Sequence, residues 1–232
     1  MSRQEWLNIL EQLIIIGPGS LNISLITAFF VGLVFSLQVV KEFLYLDAIR
    51  LIGAVLTLAF IRELSPVLTS VIVIGRVCSS FTAELATMVV TDQLDALYLL
   101  QTNPIFYLIF PRVVASIIVL PILNILSFTT SLASSSFICF VLYNIDPIVF
   151  FDSSFSALSI LDIIKSFIKT IIFALIISMI SCYWGLAAFG GAKGVGKSTT
   201  FSVVTCLLAV FFIDFIFSYF MFNNLGSSIK GL

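Results

Sequence analysis

Residues 21–40 carry no charged side chain, and this feature limits most strongly how the chain can fold. The run has the length that one helix needs to cross the hydrocarbon core of a bilayer. Further apolar stretches lie at 51–74, 113–143, 170–189 and 199–222. Hydrophobic residues make up 60% of the chain, far above the level of soluble domains. The sequence therefore predicts an all-α integral membrane protein with about five transmembrane helices.

The segments around these spans predict one domain. Apolar residues recur at helical spacing before Gly17, Pro18 and Gly19, so we expect an interfacial helix and a turn over 1–19. The transmembrane core then covers 20–222, and a tail follows at 223–232. The apolar residues of the interfacial helix are Trp6, Ile9, Leu10, Leu13 and Ile14.

The connections between the later spans are predicted from turn residues and charges. Pro147 and three acidic residues indicate an exposed loop over 144–162, and small residues at 131–136 suit close helix packing. Lys193 and Lys197 would place the last loop in the cytoplasm. Lys165 and Lys169, however, begin the fourth span on the opposite side, so charge bias does not fix the orientation.

Composition excludes several classes of function. A net charge of -1 leaves no basic surface for nucleic acid, and the absence of His removes the commonest metal ligand and general base. We therefore expect no metal, no cofactor and no nucleic-acid partner. The cysteines are widely spaced in apolar surroundings and are interpreted as small core residues. They are Cys78, Cys139, Cys182 and Cys206.

The stretch GAKGVGKS, residues 191–198, has the letters of a nucleotide-binding P-loop. Such a loop lies between a strand and a helix of an α/β sheet, whereas membrane spans flank this one. A single apolar run separates it from Asp214, which leaves no room for a nucleotide-binding domain. We interpret the match as accidental and predict a tight cytoplasmic turn containing Gly194, Gly196 and Lys197.

A short amphipathic helix is predicted between the second and third spans. Thr91 can cap it, Asp92 suits its first turn, and Asn103-Pro104 follows its end. Such a helix can rest on the membrane surface or dock a soluble partner, and its periodicity leaves both open. The side chains that share one face are Leu94, Leu97, Tyr98 and Gln101.

Several short motifs follow one another along the chain. They are RELxPV at 62–67, GR at 75–76, AELxTM at 83–88, TxQxxA at 91–96, NP at 103–104, PR at 111–112, GVGKSTT at 194–200 and DF at 214–215. Taken in this order, they resemble the MlaE-type permeases of phospholipid ABC transporters over nearly the whole chain.

The resemblance implies an interfacial helix, five spans and a homodimeric permease core without an ATPase domain, so the chain is not expected to be an enzyme. A separate ABC ATPase would drive the transport of phospholipid or related lipid between membranes, with an MCE-domain lipid-binding protein on the far side. The resemblance makes 91–101 the coupling helix that contacts the ATPase. Its candidate residues are Thr91, Asp92, Gln93, Leu94, Asp95, Leu97, Tyr98 and Gln101.

Five charged residues in or near the spans are candidates for a lipid path or a polar network. Burying a charge in hydrocarbon is costly unless the charge is paired or lines a polar cavity. Arg62 and Glu63 point in different directions on a helix, so pairing with other spans is favoured for both. Glu84 and Arg76 flank a small-residue segment, and Glu84 is the stronger candidate for the lipid path. Asp214 fits an interspan hydrogen bond or a transport role equally.

An alternative function is a self-sufficient secondary transporter in which Glu84 and Asp214 relay protons. The location is inferred from composition, because 24 Phe residues together with many Ile suggest an A/T-rich genome. We expect a plastid inner envelope membrane, with a bacterial inner membrane as the alternative.

Overall fold

A computed structural model describes residues 3–101 and 103–222, and side chains within 6–220 of that part. The predicted tail, 223–232, lies outside the described residues. The α-helices are α1 (Arg3–Tyr45), α2 (Ile52–Ala59), α3 (Ser65–Val73), α4 (Ser79–Val90), α5 (Gln93–Leu99), α6 (Phe110–Tyr143), α7 (Pro147–Ala157), α8 (Ile160–Leu186) and α9 (Gly191–Phe222). Two π-helical turns, Phe60–Leu64 and Ile74–Cys78, join α-helices within the second span, and a third, Ile105–Ile109, begins the third span and leads into α6.

Five segments are long and apolar enough to cross a membrane, which confirms the predicted all-α membrane fold. All of the regular structure in the described residues is helical. The segments are Trp6–Tyr45, Ile49–Val90, Ile105–Tyr143, Ile160–Leu186 and Gly191–Phe220.

The chain divides into two compact units. The first contains residues up to 21, 70–122 and 170–213. Hydroxyl groups join its helices, because Thr82 Oγ1 donates to the Ser181 carbonyl at 3.0 Å and lies 2.8 Å from Ser202 Oγ. The Sγ atoms of Cys78 and Cys206 lie 3.4 Å apart in its buried interior. The cysteines of the first unit are thus buried, as predicted.

The second unit contains residues 22–69, 123–169 and 214 onward. Small side chains bring α1 and α6 together there, since Ser24 Oγ lies 2.6 Å from Ser127 Oγ and Ser131 Oγ donates to the Ala28 carbonyl at 3.1 Å. This confirms the predicted close packing of the serine-rich segment. The buried cluster of this unit is Val40, Ile52, Leu56, Phe60, Cys139, Ile145 and Phe150.

The predicted turn at Gly17, Pro18 and Gly19 is wrong, because α1 continues through it as one helix of 43 residues. Backbone groups inside a bilayer must bond within the segment, which favours an unbroken helix and makes an interior proline tolerable. Gly19 has a packing role instead. A Cβ atom there would collide with the guanidinium of Arg76.

The predicted loop over 144–162 is also wrong, because it contains the helix α7. Pro147 occupies its first turn, where the missing N–H costs nothing. Phe150 and Ser154 are buried, and the absent side chain of Gly53 in α2 leaves room for the Phe150 carbonyl. The next span, α8, therefore begins earlier than predicted and contains Lys169.

Substitution of two glycines in α1 is expected to give opposite effects. A Cβ atom at Gly32 would lie 2.7 Å from the Ser131 carbonyl oxygen, whereas one at Gly17 meets nothing within 4 Å. Gly32→Ala should therefore lower the free energy of unfolding by about 1–3 kcal/mol through overpacking. Gly17→Ala should raise it by up to about 1 kcal/mol through helix propensity. Thermal unfolding in mild detergent measures both, and equal stability of the two variants would contradict the packing described.

Candidate functional site

Arg62 and Asp162 form a two-point ion pair in the second unit. Arg62 Nε lies 3.1 Å from Asp162 Oδ1, and Arg62 Nη2 donates to Asp162 Oδ2 at 3.2 Å. Ser159 Oγ also donates to Asp162 Oδ2, at 2.7 Å. Asp162 is 1% exposed, so its charge is held inside the protein by directed hydrogen bonds.

Lys169 of α8 is fully buried and joins three helical segments. Its Nζ lies 2.8 Å from Glu63 Oε2 and 2.6 Å from Asp214 Oδ1. It also donates to the Arg62 carbonyl at 3.0 Å. Glu63 and the Arg62 carbonyl accept hydrogen bonds from the ammonium, and Asp214 adds an ion-pair contact.

A π-helical turn sets this geometry. Arg62 and Glu63 lie in the turn Phe60–Leu64, and the Arg62 carbonyl is turned towards the Lys169 ammonium. Such turns inside α-helices occur often at functional sites. Each carboxylate of the group meets a cation, which makes charges tolerable inside a membrane. We call Arg62, Glu63, Asp162, Lys169 and Asp214 the buried charge cluster.

In the structure Arg62 and Glu63 form ion pairs with Asp162 and Lys169 of α8, and Asp214 of α9 lies within ion-pair distance of Lys169. The roles suggested for these residues stay predictions. Sequence reasoning missed Asp162 and Lys169 as partners, because it placed the first in a loop and the second at the end of a span. The signal that could have found them is their spacing of seven residues, which puts both on one face of a helix.

Glu84 belongs to a separate arrangement in the first unit. Arg112 Nη2 donates to Glu84 Oε2 at 2.7 Å, and Ser80 Oγ donates to Glu84 Oε1 at 3.0 Å. Arg112 Nη1 donates to the Phe81 carbonyl at 3.2 Å. Arg112 is 4% exposed and Glu84 45% exposed, so the carboxylate faces out while its cation is buried.

Arg76 belongs neither to the buried charge cluster nor to the Glu84–Arg112 pair. Its side chain is exposed and lies against Gly19. Within the described residues it forms no ion pair with a carboxylate. The lipid-path roles suggested for Arg76 and Glu84 stay predictions.

The short helix between the second and third spans is α5, Gln93–Leu99. Its start differs from the prediction: Thr91 Oγ1 donates back to the Thr87 carbonyl at 2.8 Å, and Asp92 occupies the N-cap position with a left-handed backbone. Gln101 follows the helix with φ 58°.

The exposed side of α5 also differs from the predicted face. Leu94 and Leu97 are half-buried, and Tyr98 is 60% exposed. Leu99 and Leu100, which the periodicity did not select, are 85% and 72% exposed. We call Tyr98, Leu99 and Leu100 the α5 tip.

The predicted turn at Gly194, Gly196 and Lys197 is displaced, because all three residues lie in the first turns of α9. The chain reverses earlier, at Gly190 and Gly191, where φ is 90° and 70°. Only glycine adopts such values without strain, which explains the position of the turn.

Comparison with known proteins places the whole arrangement in a family. Residues 9–220 match the family described as Permease MlaE. A probable ABC transporter permease protein, ycf63, of Pyropia yezoensis is 60% identical over 96% of this chain and 84% of its own length. A probable ABC transporter permease of Synechocystis is 49% identical over 97% of this chain and 85% of its own.

A plant relative extends the comparison. The protein TRIGALACTOSYLDIACYLGLYCEROL 1, chloroplastic, of Arabidopsis thaliana is 49% identical over 97% of this chain and 64% of its own length. These matches confirm the resemblance seen in the motifs. The chain belongs to the MlaE permease family and is a multi-pass membrane permease subunit of an ABC transporter, which works with an ATPase.

Proposed function

We propose that this permease moves phospholipid or a related lipid between membranes, driven by a separate ATPase that docks on α5. The observation that carries the proposal is the α5 tip, a group of large apolar side chains that are exposed on the protein surface between two spans. Exposed apolar groups of this kind mark protein interaction sites. The name of the Arabidopsis relative refers to a glycerolipid, which supports lipid as the substrate.

The residues after the turn at Gly190 support a permease without nucleotide chemistry of its own. Residues 191–198 are helical, so they do not form the open loop whose N–H groups cradle phosphate. Lys197 lies with its Nζ 5.8 Å from the Phe201 ring centre. We therefore propose that the match to a P-loop is one of letters alone.

Lys197→Ala is expected to leave nucleotide binding unchanged, because the isolated permease should bind none. Equilibrium binding of a fluorescent ATP analogue to the purified chain measures this, with Lys193→Ala as the matched control. Binding that Lys197→Ala alone abolishes would contradict the interpretation.

The remaining partners follow from the family. A homodimer would complete the permease core. Ile148 and Phe155 of α7 are 76% and 73% exposed, and they offer an apolar surface to an MCE-domain protein. The chloroplast relative supports a plastid membrane, with the inner envelope favoured.

Purification of the tagged protein from its native membrane in mild detergent tests these partners together. Mass spectrometry should find an ABC ATPase and an MCE-domain protein in fixed ratio to the permease. A permease that purifies without an ATPase would contradict the proposal.

A further inference from the structure

The second unit contains a cavity of about 410 Å³ between the start of the second span and α7. Because α7 joins the third span to the fourth, the cavity lies at the ends of spans, the level that lipid headgroups occupy in a bilayer. Its lining residues are Arg50, Ile148, Val149, Asp152, Ser153 and Ser156.

Close packing of α7 on α2 brings the two charged residues to this cavity. A Cβ atom at Gly53 would collide with Ser153 Oγ, so the two helices touch at this point. Arg50 precedes Gly53 by three residues, in a short 3₁₀ turn, and Asp152 directly precedes Ser153. The contact therefore holds a guanidinium and a carboxylate beside one cavity.

The two opposite charges do not neutralise each other. In the part of the chain that the structure describes, neither Arg50 nor Asp152 forms an ion pair, so a gap separates their charged groups. Both side chains are exposed to the cavity's surroundings. The planar fork of donors on a guanidinium matches the oxygens of a phosphate. The Arg50 side of the cavity therefore suits a phosphate.

The α7 side of the cavity offers hydrogen-bond acceptors. Ser153 Oγ donates to the Phe150 carbonyl and Ser156 Oγ donates to the Ser153 carbonyl, both at 2.9 Å. Each hydroxyl has a single hydrogen, so its remaining capacity is to accept. Together with the Asp152 carboxylate, these oxygens suit a cation and disfavour a second anion.

We propose that this cavity binds the zwitterionic headgroup of a phospholipid, with the phosphate at Arg50 and the ammonium at Asp152. The two charges of such a headgroup are separated by a two-carbon link, which matches opposite charges that share a cavity without touching. An anionic headgroup would satisfy Arg50 but meet the carboxylate. An uncharged headgroup would leave both charges of the cavity unpaired.

The apolar lining suits the rest of the lipid. Ile148 and Val149 are 76% and 39% exposed and offer contacts to the part of the lipid where the acyl chains begin. Ile148 also belongs to the surface proposed for the MCE-domain protein, so a headgroup held here would lie next to that partner. The inference rests on lipid being the substrate and names the class of headgroup.

The test uses the full-length permease with its ATPase in nanodiscs that contain equal amounts of phosphatidylcholine, phosphatidylglycerol and monogalactosyldiacylglycerol. Lipid retained after extraction into mild detergent is measured by mass spectrometry. The wild type should be enriched in phosphatidylcholine, and Arg50→Gln should reduce that enrichment about tenfold through lost hydrogen bonds to phosphate. Asp152→Lys should instead shift the enrichment to phosphatidylglycerol, because the cavity then holds two cations.

Asp146→Asn is the matched control and should have no effect. Asp146 is an exposed acid at the N-cap position of α7, and it does not line the cavity. Asparagine serves as well as aspartate at that position of a helix. Thermal unfolding should show all three variants folded, because each replaced side chain is exposed.

Equal retention of the three lipids by the wild type, or enrichment of phosphatidylglycerol or the galactolipid, would overturn the proposal. An enrichment that Arg50→Gln and Asp152→Lys leave unchanged would overturn it as well. ATP-driven transfer of the three lipids, with the proposed MCE-domain partner added, is measured in parallel. Transfer without selection for the zwitterionic lipid contradicts the headgroup assignment alone, whereas no transfer of any lipid contradicts the proposed function.

Discussion

Leu99→Glu should abolish capture of the ATPase while leaving the permease folded. Leu99 is 85% exposed, so the new carboxylate costs little in the free permease. In the docked complex it would be buried against an apolar surface, and central apolar contacts of this kind contribute about 2–4 kcal/mol. Affinity for the ATPase should therefore fall by about 100-fold or more. Co-purification and thermal unfolding measure association and folding separately.

The control for this variant is Leu46→Glu. Leu46 is 68% exposed after α1, in the loop before the second span, where no ATPase is expected. Leu97 is unsuitable as a test because it is half-buried, and a charge there would also disturb the fold. If Leu99→Glu retains the ATPase as well as Leu46→Glu does, α5 is not the coupling helix.

Lys169→Met should destabilise the permease by about 3–5 kcal/mol and abolish transport. The substitution keeps most of the length of the side chain but leaves Glu63 and Asp214 without their shared cation. Removing the cation of a buried ion pair costs about this much, and here two partly buried carboxylates lose the same cation. Thermal unfolding in detergent and ATP-driven lipid transfer measure the two effects.

Two further variants separate the charge from the general effect of losing a lysine. Lys41→Met removes an exposed lysine of α1 and should leave stability unchanged. Lys169→Met combined with Glu63→Gln and Asp214→Asn removes both orphaned charges and should recover much of the stability. Wild-type stability of Lys169→Met, or no recovery in the triple variant, would show that the buried charge cluster does not hold these helices together.

The five spans could be predicted because bilayer thickness and hydropathy impose length and composition on each of them. The motifs also identified the family. That Arg62 and Glu63 pair with residues of other spans could be predicted, since charges inside a membrane must pair. The sequence did not show that the partner residues are Asp162 and Lys169. The fourth span was predicted to start after both residues. Without knowledge of its partners on other helices, the lysine at position 169 has the appearance of a charged residue at the end of a span.

Glycine and proline misled the local predictions for a physical reason. Gly17, Pro18 and Gly19 would end a helix in water, but inside a membrane the cost of unpaired backbone groups keeps α1 continuous. Gly194 and Gly196 likewise lie inside α9, while the reversal uses Gly190. Sequence alone does not show which glycine of a cluster adopts a positive φ.

The alternative of a self-sufficient secondary transporter depended on a proton relay between Glu84 and Asp214. Each of these carboxylates is paired with a different cation, Glu84 with Arg112 and Asp214 with Lys169, which Asp214 shares with Glu63. The family match adds that the energy comes from an ATPase. The ABC permease and the secondary transporter therefore differ in what drives transport, which is ATP hydrolysis in the first and an ion gradient in the second.

Lipid transfer in proteoliposomes tests this difference most directly. The permease purified with its ATPase and the proposed MCE-domain partner is placed in donor vesicles that carry a fluorescent phospholipid, and transfer to acceptor vesicles is followed over time. We expect transfer only with hydrolysable ATP and only when the ATPase is present. Transfer by the permease alone, driven by an ion gradient and unaffected by ATP, would contradict the account.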